Sequence, residues 1–180
     1  QDAAKAAGII ADVVVDIDVV KRSGVLAGAP ALTLAQQIDK MPNLKFRGIL
    51  AYDGGVQHVA GYQKRKETAL KNFESIVKTY EMMKAAGLNL EIFSGGGTGT
   101  YDIMTGVPGF TDVQVGSYLF MDCQYIEIGG AKNETVFDDF APSLTVMTTI
   151  VNNNYPGRLV TDSGSKALTL NQPTAFVIGE

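Results

Sequence analysis

An apolar run at residues 88–93 leads without a break into Ser94-Gly95-Gly96-Gly97-Thr98-Gly99-Thr100. The run reads as a buried strand. The glycines after it remove the Cβ atoms that would keep a ligand from the backbone, so their N–H groups can close around an anion. The two threonine hydroxyls add donors of the kind that hold a phosphate. No Gly-Lys-[Ser/Thr] ends the loop, so it is not a Walker A sequence. The Rossmann spacing fails as well, because Thr100 stands where the last glycine belongs. Two readings stay open from the loop alone, a phosphate cradle and a tight turn between a strand and the next element.

Size and charge narrow the field. A chain of 180 residues with formal net charge −4 can bury one sizeable core, and it carries no basic stripe. That argues against nucleic acid and against a membrane surface as partners. No apolar stretch approaches the length of a membrane span. The single cysteine, Cys123, rules out an intrachain disulfide and any cysteine-cluster metal site. The chain opens at Gln1 in a helix-like alanine pattern, which reads as the interior of a longer protein.

Along the chain, strand and helix patterns alternate. Residues 12–18 form a Val/Ile-rich strand ending in carboxylates, and residues 31–41 a short helix stopped by Pro42. Residues 46–52 are the next strand. Residues 64–86 are the clearest helix, with Ala69, Phe73, Ile76, Val77, Tyr80 and Met83 as its apolar stripe and Gly87 as its cap. The strand at 88–93 follows, then a strand-like run at 113–121. Near-continuous apolar strands joined by helices indicate parallel βαβ units covered on both faces. Polar and glycine-rich residues gather after the strands' carboxyl ends, where α/β folds carry their chemistry. Several strands contributing to one rim favour a partial TIM-like (β/α) barrel, spanning residues 1–128. Residues 129–142 read as a linker. From 143 to 180 the pattern is strands (143–151, 158–162, 174–178) with turns at Asn152–Asn154 and Pro156-Gly157, the start of a β domain.

Other candidates for chemistry lie at the same rim. Tyr52-Asp53-Gly54-Gly55-Val56-Gln57-His58 groups a phenol, an amide and the sole histidine, whose ordinary pKa suits proton transfer near neutrality. His58 reads equally as a loop histidine bonded to backbone, and Tyr52 as a rim residue packing its ring. Asp16 and Asp18 share a strand face beside Arg22, either to orient a cationic ring or to form a structural ion pair. In Gln114-Val115-Gly116-Ser117-Tyr118-Leu119-Phe120-Met121-Asp122, a glycine and a hydroxyl interrupt an apolar run, which marks either a ligand's approach or a β-bulge. Ser117 is placed by this reading to share a phosphate with Thr98.

These motifs, together with Tyr125 and Asp162-Ser163-Gly164-Ser165-Lys166-Ala167-Leu168, resemble in order and spacing the D-threonine aldolase / D-serine dehydratase family. The resemblance covers essentially the whole chain. It implies the alanine-racemase fold, a TIM-like barrel followed by a β domain, and pyridoxal 5′-phosphate as cofactor. Carried over, it places Thr98, Gly116, Ser117 and Tyr125 on the cofactor phosphate, with Gly96 and Gly97 in the loop around it. Tyr52, Gln57 and His58 fall on the cofactor and substrate side. Arg22 resembles the family's strand-end arginine near the pyridine ring, at a spacing from Asp18 about one residue shorter. The lysine that carries the cofactor is expected before Gln1, and the divalent-metal ligands (for Mn or Zn) after Glu180. Lys21 and Lys166 match neither position, so no metal ligand and no cofactor lysine is assigned within these residues, and the chain alone is expected to be inactive.

The resemblance implies a cytoplasmic homodimer acting on β-hydroxy D-amino acids, by aldol cleavage or by dehydration. Two other functions stay open on the residues, a phosphate-binding barrel enzyme without pyridoxal and a non-catalytic pyridoxal-phosphate carrier.

Overall fold

The computed structural model describes residues 1–168. The strand expected at 174–178 lies outside the described residues.

A short helix, α1 (Asp2–Ala6), precedes the first strand, β1 (Ala11–Asp16). Then come α2 (Ala29–Asp39), β2 (Leu44–Ala51) and the long α3 (Tyr62–Ala85). β3 (Ile92–Gly95), α4 (Tyr101–Met104) and β4 (Asp112–Val113) complete the α/β part. The four strands make one parallel sheet in the order β1-β2-β3-β4. Each strand therefore lies beside its sequence neighbour and the order never reverses. A doubly wound sheet needs such a reversal, whereas an arc of a (β/α) barrel does not. Val15, Phe46, Ile49 and Phe93 from the strands meet Ala35, Ala69, Phe73 and Ile76 from the helices in one core.

Helix α3 buries Ala69, Phe73, Ile76, Tyr80 and Met83 as its spacing predicts, while Val77 of the same expected stripe is only partly buried. Two polar residues join that face. Thr79 accepts the Gly28 amide at 2.7 Å and donates to the Ser75 carbonyl at 2.7 Å. Arg65 extends the stripe one turn towards the N-terminus and is fully buried.

β2 holds a local irregularity. Val13 pairs with Phe46 and Val14 with Gly48, so Arg47 is an extra residue in the ladder. Its side chain is turned outward between Asp12 at 3.1 Å and Glu91 at 2.8 Å. Gly48 takes φ +142, and a Cβ there would stand 1.9 Å from the Ile92 carbonyl oxygen. Only glycine fits.

The structure departs from the sequence expectation in three places. The strand expected at 88–93 starts at Ile92 and runs into the loop, taking Ser94 and Gly95 as ladder residues. The run at 113–121 is not one strand. β4 ends at Val113, and residues Ser117–Leu119 form a 3-10 turn instead. The amide of Tyr118 goes to the Thr98 hydroxyl rather than to a neighbouring strand, at 3.1 Å. Leu119 and Phe120 are 57% and 58% exposed, so the run's apolar content does not signal burial. A small helix, α5 (Cys123–Ile126), follows, capped by the Asp122 carboxylate on the Tyr125 amide.

Third, the strand expected at 143–151 lies later in the chain. β5 (Ile150–Tyr155) pairs with β6 (Arg158–Thr161) as an antiparallel hairpin, and the asparagines expected in a turn stand in β5. Pro156-Gly157 makes the reversal, with Gly157 at φ +74. Between α5 and this hairpin, Phe137 and Phe140 pack with Met121, Tyr125, Ile128 and Tyr101 in a second apolar cluster.

In that cluster the Tyr101 hydroxyl donates to Asp139 at 3.2 Å. Burial, reinforced by Asp139, pushes the Tyr101 pKa from 10.0 up to about 12. Between those values the unfolded chain has released this proton while the folded chain keeps it. Stability contributed by the neutral phenol is thus complete below about pH 10 and falls as pH rises towards about 12. Tyr101→Phe should flatten the alkaline limb of a thermal-stability profile, and an unaltered limb would count against this assignment.

Candidate functional site

The elements that follow the strands' carboxyl ends converge on one region. Three of them matter, the loop after β2, the glycine loop after β3 and the turn after β4.

The loop after β2 is built around Asp53, which is 1% exposed. Its carboxylate accepts the amides of Gly55 and Val56 at 2.9 and 3.2 Å and the Asn72 side chain at 2.7 Å. Its oxygens are taken by these inward donors, so it is satisfied without a ligand. Gln57 is also 1% exposed. Its Nε2 donates to the Asp53 carbonyl at 2.9 Å and to Thr100 Oγ1 at 3.0 Å, while its Oε1 accepts the Gly99 amide at 3.1 Å. The side chain is locked inside the protein, bracing one loop against the other.

The glycine loop is partly self-bonded. Gly97 N–H donates to Thr100 Oγ1 at 3.1 Å, and Thr100 N–H donates to the Gly97 carbonyl at 3.0 Å. Close approach accounts for the missing side chains at Gly97 and Gly99. A Cβ on Gly97 would stand 2.7 Å from Gln57 Oε1 and 3.1 Å from the Tyr52 hydroxyl, and one on Gly99 would stand 2.2 Å from the Gln57 carbonyl oxygen. The turn reading and the cradle reading thus each describe part of the loop.

Thr98 is the group left to act. It is 1% exposed, and its oxygen accepts the Tyr118 amide at 3.1 Å, which leaves its own O–H to donate elsewhere. Its amide finds no acceptor among the described residues. A Cβ on Gly116 would meet nothing within 4 Å, so open space lies beside that residue.

Around this point stand Ser117, Tyr125, His58 and Tyr52. Tyr125 is buried, and burial pushes its phenol pKa up while the Ser117 hydroxyl pulls the other way. It stays a neutral hydrogen-bonding group at ordinary pH. The His58 ring packs 4.5 Å from the Tyr125 ring. His58 also borders a depression of about 250 Å³ shared with Ala60, Gln124, Glu127 and Ile128.

Tyr52 is half-buried, and the Arg22 guanidinium lies 5.3 Å over its ring. Among the described residues Arg22 forms no ion pair with Asp16 or Asp18. Those carboxylates brace their own loop instead, Asp16 accepting from the Ser23 hydroxyl at 3.1 Å and Asp18 from the Arg22 amide at 2.9 Å. Lys21 and Lys166 are exposed.

Sequence reasoning therefore names the residues that meet here but misses how Gln57 and Gly97 serve. It also misses Arg65, whose i, i+4 spacing from Ala69 and Phe73 was the available signal. Among the described residues no group of three or more His, Cys, Asp or Glu side chains could hold a metal ion. No helix among them is long and apolar enough to cross a membrane.

The sequence profile of the alanine racemase N-terminal domain matches residues 1–124. The chain belongs to that family. Among its curated relatives, D-threonine aldolase from Arthrobacter sp is 34% identical over 177 residues, covering 97% of this chain and 45% of that protein. The 3-hydroxy-D-aspartate aldolase of Paracoccus denitrificans (strain Pd 1222) is 31% identical over 159 residues, covering 88% and 41%. The crystal structure of D-threonine aldolase from Filomicrobium marinum superposes with a TM-score of 0.79 at 31% identity, covering 93% of this chain and 45% of that one. The chain thus spans less than half the length of these relatives. Membership of the family implies pyridoxal 5′-phosphate as cofactor.

The donor set fits the phosphate of that group. A free hydroxyl proton on Thr98, the unengaged Thr98 amide and the Ser117 hydroxyl adjoin open space at Gly116, and Asp53 is turned away. Neutral donors facing a dianion make a favourable charge-assisted site.

Proposed function

We propose that the whole protein is a pyridoxal-phosphate-dependent lyase acting on β-hydroxy D-amino acids, with aldol cleavage as its reaction. The observation that carries this reading is the convergence of Thr98, Ser117 and Tyr125 beside open space at Gly116, in a chain related to two aldolases of that substrate class.

Thr98 and Ser117 hold the cofactor phosphate, and the backbone at Gly96 and Gly116 lets it approach. Gln57 and Gly97 act indirectly, by fixing the loop. Tyr125 closes the phosphate end with a neutral phenol. Tyr52 and His58 stand on the substrate side, where the hydroxyl and the imidazole can bind and orient polar groups or hold a proton. Arg22 fixes the Tyr52 ring from the solvent side. When bound, the cofactor supplies an electron sink for the carbon whose bond breaks. A divalent metal held elsewhere in the protein would polarise the substrate β-hydroxyl.

The test is product analysis with the full-length protein, its cofactor and D-threonine or 3-hydroxy-D-aspartate. Glycine and an aldehyde are expected. Ammonia with a keto acid would replace aldol cleavage by dehydration, and absence of both products would refute the lyase. A bound cofactor without turnover would identify a carrier.

Thr98→Val removes a buried donor from the phosphate and should weaken cofactor binding by about 1–3 kcal/mol, roughly 5- to 150-fold. Equilibrium titration measures this, and unchanged affinity would reduce the loop to a turn.

A further inference from the structure

Arg65 is the largest fully buried side chain among the described residues, at 0% exposure. No carboxylate bonds to it there. Its hydrogen-bond partners are all main-chain carbonyls, and the Tyr62 ring lies 5.7 Å from the guanidinium carbon. Nε donates to Gly99 at 2.6 Å, Nη1 to Val59 at 2.9 Å and Ile128 at 2.8 Å, and Nη2 to Gly129 at 2.5 Å.

Those carbonyls come from three separate segments, and each segment carries a candidate site residue. Gly99 follows Thr98 directly, Val59 follows His58 directly, and Ile128 lies in the turn after Tyr125. The Gly61 amide also donates to the Ile128 carbonyl at 2.9 Å, so the second and third segments are joined beside the arginine. Asp102, Glu134 and Asp139 act on it without bonding to it, and burying a cation is unfavourable unless dipoles replace the lost water. Here the carbonyls do so, in directions that only a planar guanidinium matches. Ala69 and Phe73 continue the same face of α3 into the core and anchor the helix that carries Arg65.

We propose that Arg65 is the positioning residue of the phosphate site. It fixes Thr98, His58 and Tyr125 relative to one another through the carbonyls of the residues that follow them. The proposal rests on the phosphate reading given above.

The test compares pyridoxal 5′-phosphate with pyridoxal as ligands of the full-length protein, by equilibrium titration of wild type, Arg65→Lys and Arg65→Met. Wild type should prefer the phosphorylated compound. Both variants should lose about tenfold or more of that preference while pyridoxal affinity changes little, because methionine has no donor and the lysine ammonium, with three donors on one nitrogen, cannot span four carbonyls that the guanidinium reaches from three nitrogens. A purely structural role would weaken both ligands alike, and an unchanged preference or equal losses would overturn the proposal. A wild type that binds both compounds equally would instead refute the phosphate reading, and the proposal with it.

Should the variants not fold, amide hydrogen exchange of the wild type with and without pyridoxal 5′-phosphate decides. Residues 57–61, 97–100 and 125–130 should gain protection together. Protection confined to 97–100 would overturn the role assigned to Arg65.

Discussion

Gly99→Ala is expected to strip the protein of pyridoxal 5′-phosphate while leaving most of the fold intact. The added Cβ would stand 2.2 Å from the Gln57 carbonyl oxygen and 3.0 Å from its carbon. Neither atom can retreat, because the Gln57 side chain is tied to Asp53 and Thr100 and the residue is buried. The glycine loop must move instead, and Thr98 moves with it. Overpacking of this kind costs about 1–3 kcal/mol of stability. A displacement near 1 Å at a positioned group lowers function by roughly 100-fold. Cofactor titration beside a thermal melt separates the two effects. Wild-type affinity in Gly99→Ala would mean that the loop does not set the site.

Gly48→Ala should have the larger effect on folding. Gly48 occupies φ +142 at the irregularity where β1 meets β2, and its Cβ would stand 1.9 Å from the Ile92 carbonyl oxygen. That oxygen belongs to β3, so the clash falls between two adjacent strands of the sheet. Backbone strain adds to steric overlap, and neither is relieved by turning a side chain. A loss of about 3–5 kcal/mol follows, lowering Tm by roughly 10 °C for a chain of this size. A Tm within about 2 °C of wild type would contradict the strand geometry at this position.

Much of this architecture is legible in the sequence because its signals are local. The stripe of α3 announces itself through Ala69, Phe73, Ile76, Tyr80 and Met83, all of which are buried. The reversal at Pro156-Gly157 follows from residues whose backbone preferences permit little else. The order of rim loops is also readable, since each follows an apolar run.

What the sequence hides are long-range capture events. The run at 113–121 has strand-like composition, yet Thr98, about one loop away, takes the Tyr118 amide and bends it out of the sheet. Asn152–Asn154 have turn chemistry, but the neighbouring Pro156-Gly157 reverses the chain and leaves them in β5. Gly97 and Gly99 look like anion binders, whereas much of their reason lies in the approach of Gln57. Gln57 itself carries donor and acceptor groups that suit a ligand, and both face inward. Arg65 continues the α3 spacing, but its charge masks it, since a buried arginine on an apolar stripe contradicts residue-type expectations.

The central claim is that hydroxyls and main-chain amides around Thr98 and Gly116 grip the phosphate of pyridoxal 5′-phosphate. Its most direct test is a crystal structure of the full-length protein grown with that cofactor. Density for the phosphate within hydrogen-bonding distance of Thr98 Oγ1 and the Ser117 hydroxyl is the predicted result. Phosphate density at any other place, or a Thr98 side chain without contact to it, would contradict the account.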